Sequence, residues 1–104
     1  RSSSSAVDRA LNMLGLCARA GKLAYGADAA EEAVRKGRAS VVVMDKAAGP
    51  NTRKALTNAC ESHAARLFEA ADVGRATGKD SRMAVAVLDA GMAARVAELF
   101  DREN

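Results

Sequence analysis

The sequence predicts an α/β protein, a three-layer α/β/α sandwich formed by a single small domain with a mixed four-stranded sheet. Amphipathic helical patterns alternate with short apolar runs along the chain, and glycines stand at many of the borders between them. The valine-rich run from Val41 to Met44 has no polar position, which is typical of a strand buried on both faces. With 104 residues, the chain is long enough for one hydrophobic core and too short for two.

The first half of the chain contains two predicted helices and two predicted strands. The first helix is predicted from apolar residues that recur at helical spacing, namely Val7, Ala10, Leu11, Leu14, Cys17 and Ala18. A short extended segment follows from Lys22 to Tyr25. A second helix is predicted to begin at Asp28, because Asp28 and Glu31 have the spacing of a capping box, and to end at Gly37. The central strand, Val41 to Met44, comes next.

The second half of the chain continues this alternation. Pro50, a residue suited to the first helical position, begins the third helix. Arg66 to Ala70 is predicted to be a short edge strand, and Asp72 to cap the brief helix that follows it. Met83 to Leu88 is predicted to be an apolar strand, before a last helix capped by Asp89. The predicted order is therefore α-β-α-β-α-β-α-β-α, in a domain of residues 6–104 that follows a flexible N-terminus at residues 1–5.

The charge and the cysteines of the chain narrow the class of protein. Sixteen basic and thirteen acidic residues give a formal net charge of +3, a mild excess that favours a polyanionic partner without deciding the matter. No apolar run reaches the roughly 18 residues that a membrane span needs, and no signal-peptide pattern opens the chain. We therefore predict a cytoplasmic protein without membrane contact, in which Cys17 and Cys60 are buried, unpaired thiols.

The sequence offers no pattern that is typical of an enzyme. His63 is the single histidine, and no serine or cysteine has a base nearby in sequence. Cys60 and His63 share a helical face, but only Cys17 remains to join them, fewer than the roughly four ligands of a structural zinc site. Residues 74–80 are faintly similar to a phosphate-binding loop, yet they precede a strand and their glycines are too close together. We predict no catalysis, no cofactor and no metal.

Four segments of the chain carry a resemblance to a known family. LGLCARAGKLAYG (residues 14–26), AVRKGRASVVVMD (33–45), PNTRKALTNAC (50–60) and VGRATGKDSRMAVAVLD (73–89) resemble the ribosomal protein L7Ae/L30e family, and within it the bacterial YlxQ-like branch. The resemblance runs from about residue 7 to residue 99. It implies a monomeric α/β/α sandwich that binds structured RNA, typically kink-turns, in the ribosome or another ribonucleoprotein, and thus a role in translation.

The resemblance also implies an RNA-binding face, made by the start of the second helix and two neighbouring loops. Carried over by position, its residues are Lys22, Gly26, Asp28, Ala29, Glu32, Lys46, Lys79, Arg82 and Met83. Arg19 and Arg38 are further candidates for sequence-independent phosphate contacts. The helix start departs from the Asn-Glu-x-x-Lys pattern of kink-turn binders. Ala29 cannot accept a hydrogen bond from a base, and Glu32 is negative where the family has lysine.

Two alternatives remain open at this point. The chain could be a protein-interaction module that kept the fold and lost kink-turn specificity, because Glu31 and Glu32 make the expected site acidic. It could also be the substrate-recognition domain of an RNA-modifying enzyme, since such enzymes can carry this fold. A contiguous basic patch that joins Lys22, Lys79 and Arg82 would favour RNA over a protein partner. With 3% aromatic residues, recognition would depend on RNA shape and backbone instead of base stacking.

Overall fold

The computed structural model describes residues 6–78 and 83–102. The predicted flexible N-terminus at residues 1–5 and two of the predicted contact residues, Lys79 and Arg82, lie outside these ranges. In chain order the elements are α1 (Ala6–Arg19), β1 (Leu23–Tyr25), α2 (Ala27–Arg35), β2 (Val41–Asp45), α3 (Pro50–Ser62), β3 (Arg66–Ala70), α4 (Val73–Thr77), β4 (Ala84–Val87) and α5 (Ala90–Asp101). This order confirms the predicted alternation of helices and strands.

The strands form a mixed four-stranded sheet in the order β1-β4-β2-β3. β2 and β3 are parallel, whereas β4 runs antiparallel to both of its neighbours, β1 and β2. β3 lies at an edge, as the sequence predicts, and every residue of β2 is buried. Since β1, β2 and β3 all point the same way, their carboxyl ends meet at one edge of the sheet.

Helices cover both faces of the sheet. Because side chains alternate along a strand, Val41 and Val43 pack on one face with α1, α4 and α5, while Val42 and Met44 pack on the other with α2 and α3. The two hydrophobic clusters are thus separated by the sheet itself. The predicted three-layer α/β/α sandwich is confirmed.

Both cysteines are buried and free, as predicted. Cys17 belongs to the cluster on the α1 face and Cys60 to the cluster on the α2 face, so the sheet lies between them. Burial raises the pKa of both thiols, which keeps them in the protonated, unreactive form at neutral pH.

Of the helices described, none has the length and apolar character required to cross a bilayer.

The capping box predicted at Asp28 and Glu31 does not form. α2 begins at Ala27, its N-cap is Gly26, and no side chain caps it. Gly26 adopts φ 95° and ψ 156°, a conformation that turns the chain directly into the helix. Asp28 therefore lies within the first turn, and Glu31 forms an ion pair with Arg35 at 2.9 Å instead. The cap predicted at Asp89 is confirmed, because its Oδ1 accepts a hydrogen bond from the Met92 N–H at 2.9 Å.

This difference between two aspartates can be measured. Asp89→Ala is expected to lower the free energy of unfolding by about 1 kcal/mol, because the first turn of α5 loses its side-chain cap. Asp28→Ala is expected to cost only about 0.3 kcal/mol, through the weak interaction of its charge with the dipole of α2. Urea unfolding followed by circular dichroism gives both values. Equal losses would mean that Asp28 is a cap after all.

Candidate nucleic-acid interface

Three of the predicted contact residues lie along one edge of the sheet, which we call the carboxyl edge. It contains the carboxyl ends of β1 and β2 and the amino end of β4. The Gly26 N–H donates a hydrogen bond to the Ala84 carbonyl at 2.8 Å, and the Asp45 N–H donates one to the Met83 carbonyl at 2.7 Å. Lys46 directly follows Asp45. Backbone hydrogen bonds thus hold Gly26, Met83 and Lys46 in one row.

The two long helices of one layer begin at this edge. α2 follows β1 and α3 follows β2, so their N-termini, with N-caps Gly26 and Gly49, lie at the carboxyl edge. Neither N-cap residue has a side chain that accepts a hydrogen bond. Free N–H groups and the positive end of a helix dipole favour negative charge. The edge is therefore suited to anionic groups such as phosphates.

Asp45 joins the loops of the carboxyl edge. Its side chain is buried, and its Oδ1 accepts a hydrogen bond from the Ala47 N–H at 2.8 Å. Its Oδ2 accepts one from the Val73 N–H at 3.1 Å, at the first residue of α4. The cap predicted from Asp72 is thus wrong, since Asp72 is the N-cap residue but its side chain caps nothing. Asp45 supplies this bond from 28 positions earlier in the chain.

Arg53 fixes the loop after β2. Its Nε donates a hydrogen bond to the Ala48 carbonyl at 3.1 Å, and its guanidinium donates another to the Lys46 carbonyl at 2.6 Å. The same guanidinium forms an ion pair with Glu69 on β3. The backbone that carries Lys46 is therefore held from both α3 and the edge strand. Glu69 is 16 positions from Arg53, so no local sequence pattern indicates this contact.

Met83 is one of the exposed large apolar side chains of the described residues, at 37% exposure. It borders a cavity of about 440 Å³ that also contacts Asp45, Asp72 and Arg75. An exposed apolar side chain at the border of a cavity is an arrangement that can receive the face of an unstacked base. The two other residues predicted in this loop, Lys79 and Arg82, are outside the described part of the chain.

The acidic residues of α2 are partly neutralised. Glu32 is exposed, and Lys36 lies 2.9 Å from its carboxylate. The hydrogen bond from Lys36, and then its charge, lower the pKa of Glu32. Glu31 has the corresponding partner in Arg35. Asp28 is exposed, and Ala29 is half-buried in the first turn. Glu31 and Glu32 therefore each have a cation four residues later.

Lys22 is not part of this group. Its carbonyl accepts a hydrogen bond from the Leu88 N–H at 2.8 Å, just beyond the carboxyl end of β4. This is the opposite end of the sheet, which we call the amino edge. β1 has three residues, so Lys22 lies roughly 13 Å from Gly26 at about 3.3 Å per residue. The structure holds Gly26, Lys46 and Met83 along the carboxyl edge and leaves Lys22 at the other. The adjoining first turn of α2 contains Asp28 and Ala29.

The chain matches the model of the Ribosomal protein L7Ae/L30e/S12e/Gadd45 family over residues 8–97. It is 35% identical over 92 residues to a protein of Bacillus subtilis (strain 168) named RNA-binding protein YlxQ, an overlap of 86% of this chain and 92% of that protein. The protein of the same name from Enterococcus faecium is 29% identical over 96 residues, with 89% of this chain and 92% of that protein covered.

Two solved structures have the same fold. A protein with unknown function from Bacillus halodurans C superposes with a TM-score of 0.84 at 34% identity, over 89% of this chain and 97% of that one. The Giardia lamblia 15.5kD RNA binding protein superposes with a TM-score of 0.80 at 20% identity, over 96% of this chain and 89% of that one. At 20% identity, the similarity to the Giardia lamblia protein shows a shared fold and no more.

Proposed function

The chain belongs to the ribosomal protein L7Ae/L30e/S12e/Gadd45 family, and we propose that it is a non-catalytic protein that binds structured, kink-turn-like RNA through its carboxyl edge. The observation that carries this proposal is the row of Gly26, Met83 and Lys46, which backbone hydrogen bonds hold beside the starts of α2 and α3. The curated relatives named RNA-binding protein YlxQ support it. The proposed setting is the ribosome or another part of translation in the cytoplasm, with the protein as a monomer.

Each residue of the edge has a proposed role. Lys46 is exposed and neutralises a backbone phosphate. Met83 contacts an unstacked base through its apolar side chain. Asp28, exposed in the first turn of α2, accepts hydrogen bonds from the edge of a guanine, whose donors suit a carboxylate. Since a carboxylate only accepts, Asp28 would read donors alone, where asparagine can read both donors and acceptors.

The two alternatives fit the observations less well. A protein-interaction module was favoured by the acidic start of α2, but both glutamates have cationic partners within the same helix. An accessory domain of an RNA-modifying enzyme would be expected to match a part of larger proteins. The curated relatives are instead matched over 92% of their length, which leaves little room in those proteins for a catalytic domain.

The proposal is tested by titrating the protein with a kink-turn RNA and with an unbent duplex of equal length, at several salt concentrations. Lys46→Ala is expected to weaken binding to the kink-turn several-fold and to reduce the slope of log K against log salt by about 1, the loss of one phosphate contact. The control is Arg95→Ala, which removes the same charge from α5 and should leave both quantities unchanged.

The result that would contradict the proposal is equal, weak binding of the two RNAs that disappears near physiological salt. Such binding is nonspecific charge attraction. The acidic start of α2 would then point to a protein partner.

A further inference from the structure

A second basic surface lies at the amino edge, away from the proposed RNA surface. A cleft of about 630 Å³ opens there between the end of α2, the amino end of β2, the carboxyl end of β4 and the start of α5. We call it the amino-edge cleft. Its basic and polar side chains belong to Arg35, Lys36, Arg38, Ser40 and His63.

The backbone of Lys22 lies beside this cleft. Its carbonyl accepts a hydrogen bond from Leu88, which is one of the lining residues. Among the described residues, no carboxylate lies within ion-pair distance of Lys22 or Arg38. Both side chains are exposed. They are therefore available to an anionic ligand.

The remaining charges leave the cleft basic. Arg35 and Lys36 are paired with Glu31 and Glu32, each at 2.9 Å. Exposed pairs of this kind contribute little to stability, so a phosphate can compete for either cation. Asp89, which lies between the lining residues Leu88 and Ala90, accepts the hydrogen bond that begins α5. Two of the four cations are thus paired with glutamates, and Lys22 and Arg38, whose charge also acts on Glu32, supply the excess positive charge.

The cations of the cleft are not needed to cap α2. The carbonyl of Glu32 accepts the Lys36 N–H, and that of Val34 accepts the Gly37 N–H. The carbonyl of Ala33 accepts the Arg38 N–H at 2.8 Å. The end of α2 is therefore closed by backbone hydrogen bonds. The cations at the end of α2 and His63 at the end of α3 complement the negative ends of those two helices, and the 12-residue α5, with Ala90 in the lining, begins at the cleft with the positive end of its dipole.

The lining fits RNA better than it fits a protein partner. Protein interfaces centre on large apolar or aromatic anchors. The described residues expose the large apolar side chains Leu16 and Met83, and neither of them lines this cleft. Lysine, arginine and serine side chains are donors that phosphate oxygens accept from in nucleic-acid complexes.

We propose that the amino-edge cleft binds the phosphate backbone of a second RNA segment. One protein molecule would then contact RNA at both ends of its sheet. Ser40 in the cleft and Lys46 at the carboxyl edge flank β2, so these two contacts are roughly 20 Å apart at about 3.3 Å per residue. The inference rests on the proposed function, because it assigns a second contact to the same RNA-binding protein.

The test compares two RNAs, a minimal kink-turn and the same kink-turn with one flanking helix lengthened enough to reach the amino-edge cleft. Wild-type protein is expected to bind the extended RNA more tightly. The double variant Lys22→Ala/Arg38→Ala should bind the minimal RNA normally and the extended RNA about tenfold more weakly. For the extended RNA, the slope of log K against log salt should fall by about 2. Arg95→Ala/Arg102→Ala removes the same charge from α5 outside the cleft and serves as the matched control.

Lysine acylation read by mass spectrometry gives a second readout. Lys46 should be protected by both RNAs, and Lys22 only by the extended one. If the wild type binds both RNAs equally, or if the two double variants behave alike, the inference fails while the proposed function stands. If the wild type binds neither RNA, the proposed function fails and this inference fails with it.

Discussion

Asp45→Ala is expected to lower the free energy of unfolding by about 3 kcal/mol, a larger loss than for any exposed carboxylate. The Asp45 carboxylate is buried and accepts two backbone hydrogen bonds, from Ala47 at 2.8 Å and from Val73 at 3.1 Å. A buried N–H that loses its acceptor costs about 1 to 3 kcal/mol. Both N–H groups would lose theirs, that of Val73 in a buried position and that of Ala47 in a partly buried one.

Asp45→Asn keeps the size and shape of the side chain and changes only its hydrogen-bonding groups. The amide keeps one acceptor oxygen and replaces the other with a donor, which faces an N–H group instead of an acceptor. We expect Asp45→Asn to lower the free energy of unfolding by at least about half as much as Asp45→Ala. Because Asp45 joins the loop after β2 to the start of α4, both variants should also weaken binding of the kink-turn RNA.

Urea unfolding followed by circular dichroism measures these losses. The control is Asp101→Ala, which removes an exposed carboxylate that lies 2.7 Å from Arg66. A surface pair of this kind contributes about 0 to 1 kcal/mol. If Asp45→Ala costs no more than Asp101→Ala, the two backbone hydrogen bonds of Asp45 do not hold the loops together.

Local patterns in the sequence were sufficient for the elements and their order. Helical spacing, apolar runs and the border glycines are properties of neighbouring residues, so they predicted each helix and strand to within a few positions. The prediction of a cap at Asp28 was wrong because it depended on such a local pattern alone. The capping-box spacing is local too, but the backbone of Gly26 turned the chain into α2 one residue earlier.

Local sequence patterns could not predict the contacts that organise the candidate site. Asp45 caps a helix 28 positions away, and Arg53 pairs with Glu69, 16 positions away. The position of Asp45 directly after an apolar strand could have marked it as a candidate. Nothing in the sequence indicated that its partner is Val73. Lys22 was grouped with Gly26 because the family resemblance implied that both belong to the RNA-binding face. The strand between them carries them to opposite edges of the sheet.

Gly26→Ala is expected to have the largest effect on RNA binding of any single methyl addition. Gly26 has φ 95° and ψ 156°, a region that is essentially restricted to glycine. A residue with a Cβ held there costs about 1 to 3 kcal/mol. Relaxation of this strain would move the Gly26 N–H from the Ala84 carbonyl and the Gly26 carbonyl from the Ala30 N–H. Both hydrogen bonds place the start of α2 beside Met83.

The matched control is Gly21→Ala. Gly21 has φ 71°, and a Cβ added there would meet nothing within 4 Å. This variant should lose about 1 kcal/mol of stability through backbone strain alone and bind the minimal kink-turn RNA normally. Gly26→Ala should lose more stability and, at a temperature where both variants are folded, at least tenfold in affinity. Wild-type affinity in a folded Gly26→Ala protein would mean that the start of α2 does not contact the RNA, and the proposed surface would have to lie elsewhere.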